Sequence, residues 1–317
     1  MSQQESDQHI SVLLEESVRG LNIQKKGIYI DATFGRGGHT MLILSQLDND
    51  GRLIAFDKDP KAISVGQKLA EQDHRIEMIH ASFATLYDAI ERLNLVGKID
   101  GILFDFGVSS PQLDDPERGF SFLKKGPLDM RMNNTVGISA KEWLHTASCD
   151  EMASVFKKYG EEKYAYPIAK KIIEHREKKL PLDTTVDLAQ LVENMVPEYK
   201  RDKKKHPATR IFQAIRIVVN NELEDIEIAL ASAVKLLRSK GRLSVISFHS
   251  LEDRLVKRFF KKQSQGKVVP HDFPMTEAEI NKDKILTMIT KPIKPSILEI
   301  ERNYRSRSSI LRIAEKN

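Results

Sequence analysis

Ile28-Tyr-Ile-Asp-Ala-Thr-Phe-Gly-Arg-Gly-Gly-His39 is the stretch from which the fold is read: an apolar strand ends in an acid, breaks into a glycine turn and runs into a helical pattern. Glycine tolerates positive φ and brings no Cβ, so Gly35, Gly37 and Gly38 let the chain turn tightly and approach a ligand. A second apolar stretch, Arg52 to Phe56, ends at Asp57, where a carboxylate can accept hydrogen bonds from both hydroxyls of a ribose. The spacing suits NAD and S-adenosylmethionine alike. A glycine turn by itself is also compatible with a plain strand-to-helix connection.

Outward from this turn, the pattern predicts strands over 28–33, 52–57, 75–79 and 99–105, with helices near 39–47, 60–70 and 84–94. Such alternation predicts an α/β fold with a parallel sheet. It puts Asp31, Asp57 and Asp105 near the carboxyl ends of strands, the edge where open α/β sheets bind ligands. Between 117 and 207 the alternation stops, and helical patterns follow at 139–147, 149–159, 161–179 and 184–196. Beyond it, Ile211, Ile215, Val219, Leu223, Ile226, Leu230, Ala233 and Leu237 recur at intervals of three and four, predicting one long helix ended by Gly241. A fifth strand is expected at Arg242–Phe248, and Ile285–Thr290 and Ser309–Ile313 would add a last pair, with a loop over 263–283 between. Seven strands with a late hairpin resemble a Rossmann-like S-adenosylmethionine methyltransferase sheet more than a dinucleotide domain. The expected division is a methyltransferase core of 1–116 and 208–317, interrupted by a helical insertion of 117–207 that serves substrate recognition.

Composition narrows the class. A chain of 317 residues buries a sizeable core without staples, and its single cysteine, Cys149, forms no internal disulfide, as suits a reducing compartment. Met1 to His9 is polar and acidic rather than leader-like, and no apolar run nears the roughly eighteen residues that suggest a membrane span. A cytoplasmic protein with no membrane partner is expected. No His, Cys or Asp spacing suggests a metal site. The net charge is +5 and the pI about 9.0, a mild basic excess compatible with a nucleic-acid partner. It concentrates at Lys200, Arg201, Lys203, Lys204, Lys205, His206 and Arg210, and at Arg302, Arg305, Arg307 and Arg312, although either cluster alone is equally a solvated face.

The fourth strand runs into Asp105-Phe-Gly-Val-Ser-Ser-Pro-Gln-Leu-Asp-Asp115, an abrupt change from apolar strand to glycine, serine, proline and acid. In amino-methyltransferases an acidic or small polar residue beside a proline at this edge accepts hydrogen bonds from a target –NH₂ while its nitrogen faces the methyl donor. Asp105, Ser109, Ser110 and Pro111 are the candidates here. Ordinary loop formation explains the same serines and proline, and Asp105 could instead touch the donor's methionine portion.

Seven blocks in order are similar to the ribosomal RNA small-subunit methyltransferase H (MraW) family. They are His9-Ile-Ser-Val-Leu-Leu, Asp31-Ala-Thr-Phe-Gly-Arg-Gly-Gly-His39, Asp105-Phe-Gly-Val-Ser-Ser-Pro-Gln-Leu-Asp114, Arg118-Gly-Phe-Ser-Phe122, Gly126-Pro-Leu-Asp-Met-Arg-Met132, His206-Pro-Ala-Thr-Arg210 and Ser247-Phe-His-Ser-Leu-Glu-Asp-Arg254. The resemblance spans almost the full length. It implies N4-methylation of a cytidine in the decoding centre of 16S rRNA (1402 in the usual bacterial numbering), with S-adenosylmethionine as donor. Carried over by position, Gly37, Gly38 and His39 would line the donor's turn, Asp57 would hold its ribose and Phe83 would border the adenine, while Asp105 and Gln112 would complete the pocket. The implied partner is 16S rRNA within the small ribosomal subunit. Naked rRNA and assembled particle remain open as substrates, as does the oligomeric state, a homodimer included.

Three positions depart from the family pattern. Phe106 stands where leucine is expected, and Asn303-Tyr-Arg-Ser-Arg-Ser-Ser309 stands where Asn-Pro-Arg-Ala-Arg-Ser-Ser is common, so that Tyr304 and Ser306 both differ; losing the proline relaxes a turn. Asp129 and Arg131, and the polar stripe Gln213, Arg216 and Asn220, are further candidates for facing a cytidine, and His249 for taking a proton. The competing readings are an NAD-linked oxidoreductase, against which the Ser-Ser-Pro block and late hairpin argue, and a non-catalytic RNA-binding or ribosome-assembly protein that kept the pocket.

Overall fold

The computed structural model describes residues 11–202, 206–265 and 283–317. The chain divides into two units, one comprising residues up to Gly107 together with Leu223–Asn317, the other Val108–Glu222. In the first, α1 (Leu14–Leu21) precedes β1 (Ile28–Asp31), α2 (Gly38–Leu44), β2 (Arg52–Asp57), α3 (Pro60–Gln72), β3 (Ile76–His80), α4 (Leu86–Arg92) and β4 (Ile99–Asp105). Both faces of this sheet are covered, so its strands read as unbroken apolar runs rather than alternating ones. Within β2, for example, Ile54 and Phe56 enter one core cluster with Phe104 and Val245, whereas Leu53 and Ala55 enter another with Tyr29 and Leu103.

In the second unit are α5 (Ser110–Asp114), α6 (Ala140–Thr146), α7 (Cys149–Gly160), α8 (Ala165–Glu177), α9 (Thr185–Met195) and α10 (Ala208–Asn220). Serine or threonine opens three of them: Ser139, Ser148 and Thr184 each accept a backbone N–H from the first turn of α6, α7 and α9. Their apolar faces meet around Trp143, Phe156, Ile168, Leu188 and Ile211. The chain re-enters the first unit through α11 (Glu222–Leu236), then β5 (Leu237–Ser247), α12 (Ser250–Ser264), β6 (Leu286–Met288), α13 (Ile297–Arg302) and β7 (Ile310–Lys316).

Among the described residues seven strands form one sheet in the order β3-β2-β1-β4-β5-β7-β6. Neighbours from β3 to β5 are parallel, and β7 runs antiparallel to both β5 and β6. The reversed β7 separates this sheet from the dinucleotide-binding order, in which six strands run 3-2-1-4-5-6. It is the α/β, Rossmann-like methyltransferase sheet expected from the late hairpin.

The predicted single long helix is two. Asn221 takes φ 53°, and its N–H closes α10 on the carbonyls of Ile217 and Val218 before α11 begins. Asparagine visits this left-handed region at less cost than most residues. Because α10 packs with α7 and α9, the unit boundary falls after Glu222, and the first falls after Gly107. The sequence expectation set these joins at 116/117 and 207/208. Nor does Gly241 end a helix: it lies inside β5 beside a shift of register against β4, where a Cβ would come 2.9 Å from the carbonyls of Arg238 and Ile99. Lys203, Lys204 and Lys205, and most of the loop expected over 263–283, lie outside the described residues.

Candidate functional site at the carboxyl edge of the sheet

The glycine turn opens directly from β1. Gly35 and Gly37 take φ of 56° and 80°, and Gly37 caps α2. A Cβ at Gly37 would meet the Phe34 ring at 2.9 Å, and one at Gly38 would overlap Ser11 Oγ, so both positions are closed to larger residues. At Gly35 space is open and the backbone angle alone makes the demand. Gly35 N–H donates to Asp57 Oδ2 at 2.8 Å, and Asp59 N–H to Asp57 Oδ1 at 2.8 Å. Burial raises the Asp57 pKa, which the backbone N–H groups of Asp59, Gly35 and Lys58 partly offset.

Two more acids stand on the same edge. Asp31 is fully buried, accepting from Thr40 Oγ1 at 2.7 Å and from Thr33 N–H at 3.1 Å. Burial is the largest cause that lifts its pKa to about 6. Thr33 also ties this acid to the next strand, since its Oγ1 accepts the N–H of Asp105 at 2.7 Å. The Asp105 side chain is 24% exposed, yet its Oδ1 is buried and accepts no hydrogen bond among the described residues. Burial, then the charges of Asp31 and Glu252, push its pKa well above the usual carboxylate range. His39 is buried, with Nε2 3.2 Å from the Val12 carbonyl and Nδ1 3.9 Å from Asp105 Oδ2. That last separation is beyond a hydrogen bond.

Phe83 follows β3 and is half-buried, with Phe104 edge-on at 5.9 Å and Phe106 at 5.6 Å between ring centroids. Phe106, the departure from leucine, completes an aromatic trio with centroid spacings suited to edge-on and tilted contacts. Gly37, Gly38, His39, Asp57, Phe83 and Asp105 therefore all lie on one edge of one unit.

Ser109, Ser110, Pro111 and Gln112 belong to the other unit and form the start of α5. Ser109 caps this helix, its N–H donating to Gln112 Oε1 at 2.9 Å in a reciprocal box, and Pro111 occupies the first turn, where its missing N–H costs nothing. Gln112 is buried in this capping role. The polar stripe of α10 is likewise engaged locally. Arg216 forms a two-point pair with Glu222 at 2.7 Å, Gln213 Nε2 donates to the Tyr159 carbonyl, and Asn220 accepts from Met132 N–H and donates to the Met130 carbonyl, both at 2.7 Å. Asp129 and Arg131 pair with each other at 2.6 Å. His249 caps α12 against Glu252. Sequence reasoning missed the Asp31, Thr33 and Thr40 network, although a threonine on each side of the glycine turn was its visible signal.

A model of the MraW methylase family matches residues 6–317. The ribosomal RNA small subunit methyltransferase H of Shewanella loihica is 58% identical over 308 residues, 97% of this chain and 97% of that protein. The protein of the same name in Shewanella pealeana is 56% identical over 309 residues, 98% of this chain and 97% of that one. A solved rRNA methylase from Streptococcus thermophilus covers 97% of this chain and 98% of its own at 12% identity, with a TM-score of 0.42. The two relatives match from end to end at more than half identity and the family model spans all but the first few residues, so the chain belongs to the MraW methylase family.

Proposed function

We propose that the protein is a 16S rRNA methyltransferase that moves a methyl group from S-adenosylmethionine to N4 of cytidine 1402 in the decoding centre, within the small ribosomal subunit. The observation that carries this reading is Asp105: a carboxyl group at the end of β4, with one buried oxygen that none of the described residues satisfies, beside a glycine turn and a second carboxylate, Asp57, held by backbone N–H groups. A buried polar atom left without a partner in the protein is suited to a ligand's donor. Asp57 would hold the ribose hydroxyls, and Gly37, Gly38 and His39 would border the rest of the donor, with Phe83 beside the adenine. The names of the relatives support rRNA as the substrate.

S-adenosylmethionine supplies an electrophilic methyl group on a sulfonium. The chain's own work is to orient the two reactants. Cytosine's exocyclic nitrogen has its lone pair delocalised into the ring, so acceptors that hold its N–H groups favour the pyramidal form that attacks, and close in-line placement supplies much of the remaining rate. Ser109, Ser110 and Pro111, shortly after Asp105 in the chain, are the candidates for holding that amine. Asp105 acts on the donor and on the amine only through it.

Asp105→Ala tests the assignment in single-turnover transfer at saturating donor, with donor affinity measured separately. Transfer is expected to fall by about 100-fold or more, and donor affinity to fall with it. Unchanged donor affinity with lost turnover would move Asp105 to the amine. Near-normal turnover would remove it from the site.

A further inference from the structure

The C-terminal arginine cluster divides in the fold. Arg312 is buried in β7 and pairs with Asp253 at 2.8 and 3.0 Å, tying that strand to α12. Arg302, Arg305 and Arg307 are exposed around a 3-10 turn, Tyr304–Ser308, and Tyr304 among them is 63% exposed. Asn303 caps this turn by accepting Arg305 N–H at 3.1 Å, and Ser306 Oγ donates back to the Asn303 carbonyl at 2.8 Å. Tyr304 holds the first position of the turn, where proline is also at home. The turn is therefore kept without the proline, and its place is taken by a large aromatic ring facing water.

That ring is already organised. The Arg307 guanidinium lies over it, 4.4 Å from the centroid, and donates to its hydroxyl. Between Lys291 and Arg307 five cations face two acids, a formal charge of +3, and Glu299, one of the acids, is spent on the N–H of Leu13 at 2.7 Å. The turn also stands at the right end of the sheet. Ile310, which follows it and opens β7, pairs with Ser247 at the carboxyl end of β5, one residue beyond Ile246, which pairs with Asp105.

We propose that Tyr304 is a stacking platform for a base of single-stranded RNA, with Arg302, Arg305 and Arg307 neutralising the flanking phosphates. The inference rests on the rRNA reading above and specifies where this chain holds that substrate. An exposed aromatic ring supplies a base-sized face of any sequence, and interleaved arginines follow the backbone charge. A protein partner would have to supply acids for three exposed like charges gathered around one ring.

The test is fluorescence anisotropy with a labelled single-stranded RNA oligonucleotide containing cytidine, using the full chain. Tyr304→Ala is expected to weaken binding about tenfold and Tyr304→Phe to retain it, since stacking needs the ring rather than the hydroxyl. Replacing Arg302, Arg305 and Arg307 together with Ala should reduce the slope of log affinity against log salt by about 2. Calorimetric donor affinity should stay at the wild-type value in every variant, which also reports an intact fold. An unchanged RNA affinity in Tyr304→Ala overturns the inference, as does wild-type protein that fails to hold the oligonucleotide. A loss seen with assembled particles but not with protein-free RNA overturns it in favour of a ribosomal protein. If RNA binding depends on Tyr304 while wild-type protein transfers no methyl group, the methyltransferase reading fails alone.

Discussion

A carboxyl group closed off from water resists ionisation, and Asp31 shows the consequence for stability. Its pKa of about 6 lies above the ordinary 3.8, so the stability contributed by its neutral form is complete below pH 3.8 and is lost as pH rises through 6. The difference corresponds to about 3 kcal/mol. Asp31→Asn should therefore gain stability relative to wild type between pH 4 and pH 7, by an amount approaching that figure in denaturant unfolding; a parallel pH profile for the two proteins would contradict it. Asp57, also buried and also held by backbone N–H groups, is the acid assigned to the ribose. Asp57→Ala should weaken donor binding by about tenfold or more, the loss of a hydrogen bond to a charged acceptor. Calorimetry showing unchanged affinity in a folded variant would refute the ribose assignment. Asp57 and Asp105 were legible in the sequence because strand ends and glycine turns are written locally. The tie from Asp31 through Thr33 to the backbone of Asp105 was not, since it joins residues 72 apart in sequence.

At the scale of elements, the strands and most helices follow from local pattern, whereas the break at Asn221 does not. Apolar residues recur at intervals of three and four on both sides of it, but Ile211 and Ile215 enter one core and Ile226, Leu230 and Ala233 another. Periodicity reports that a face is buried and says nothing of what it is buried against. The same limit applies to the polar stripe of α10, whose Asn220 proves to be an internal brace. Asn220 is buried and holds the Met130 carbonyl and the Met132 N–H, just after Met130 at φ 59°. Asn220→Ala leaves Met132 N–H and the Met130 carbonyl without that partner, which should cost about 2–3 kcal/mol. Thermal or denaturant unfolding checks this, and a loss below 0.5 kcal/mol, within the usual range for a surface change, would contradict the brace. Gln112, carried over as a pocket residue, is one half of the cap of α5.

For the molecule as a whole, the basic excess separates into charges covered within the fold, such as Arg216 and Arg312, and charges exposed at the surface, such as those around Tyr304. Net charge alone could not distinguish these, because burial is set by tertiary contacts. No helix among the described residues is long and apolar enough to cross a membrane. The sheet order, with its reversed β7, carries the methyltransferase fold, and Asp57 and Asp105 on its carboxyl edge carry the proposed chemistry. The most direct measurement of the central claim is transfer of a labelled methyl group from S-adenosylmethionine into protein-free 16S rRNA and into assembled small subunits, followed by digestion to nucleosides. The account predicts label in N4-methylcytidine from a single site, dependent on the wild-type chain. Label in another nucleoside, or none from either substrate, would contradict it.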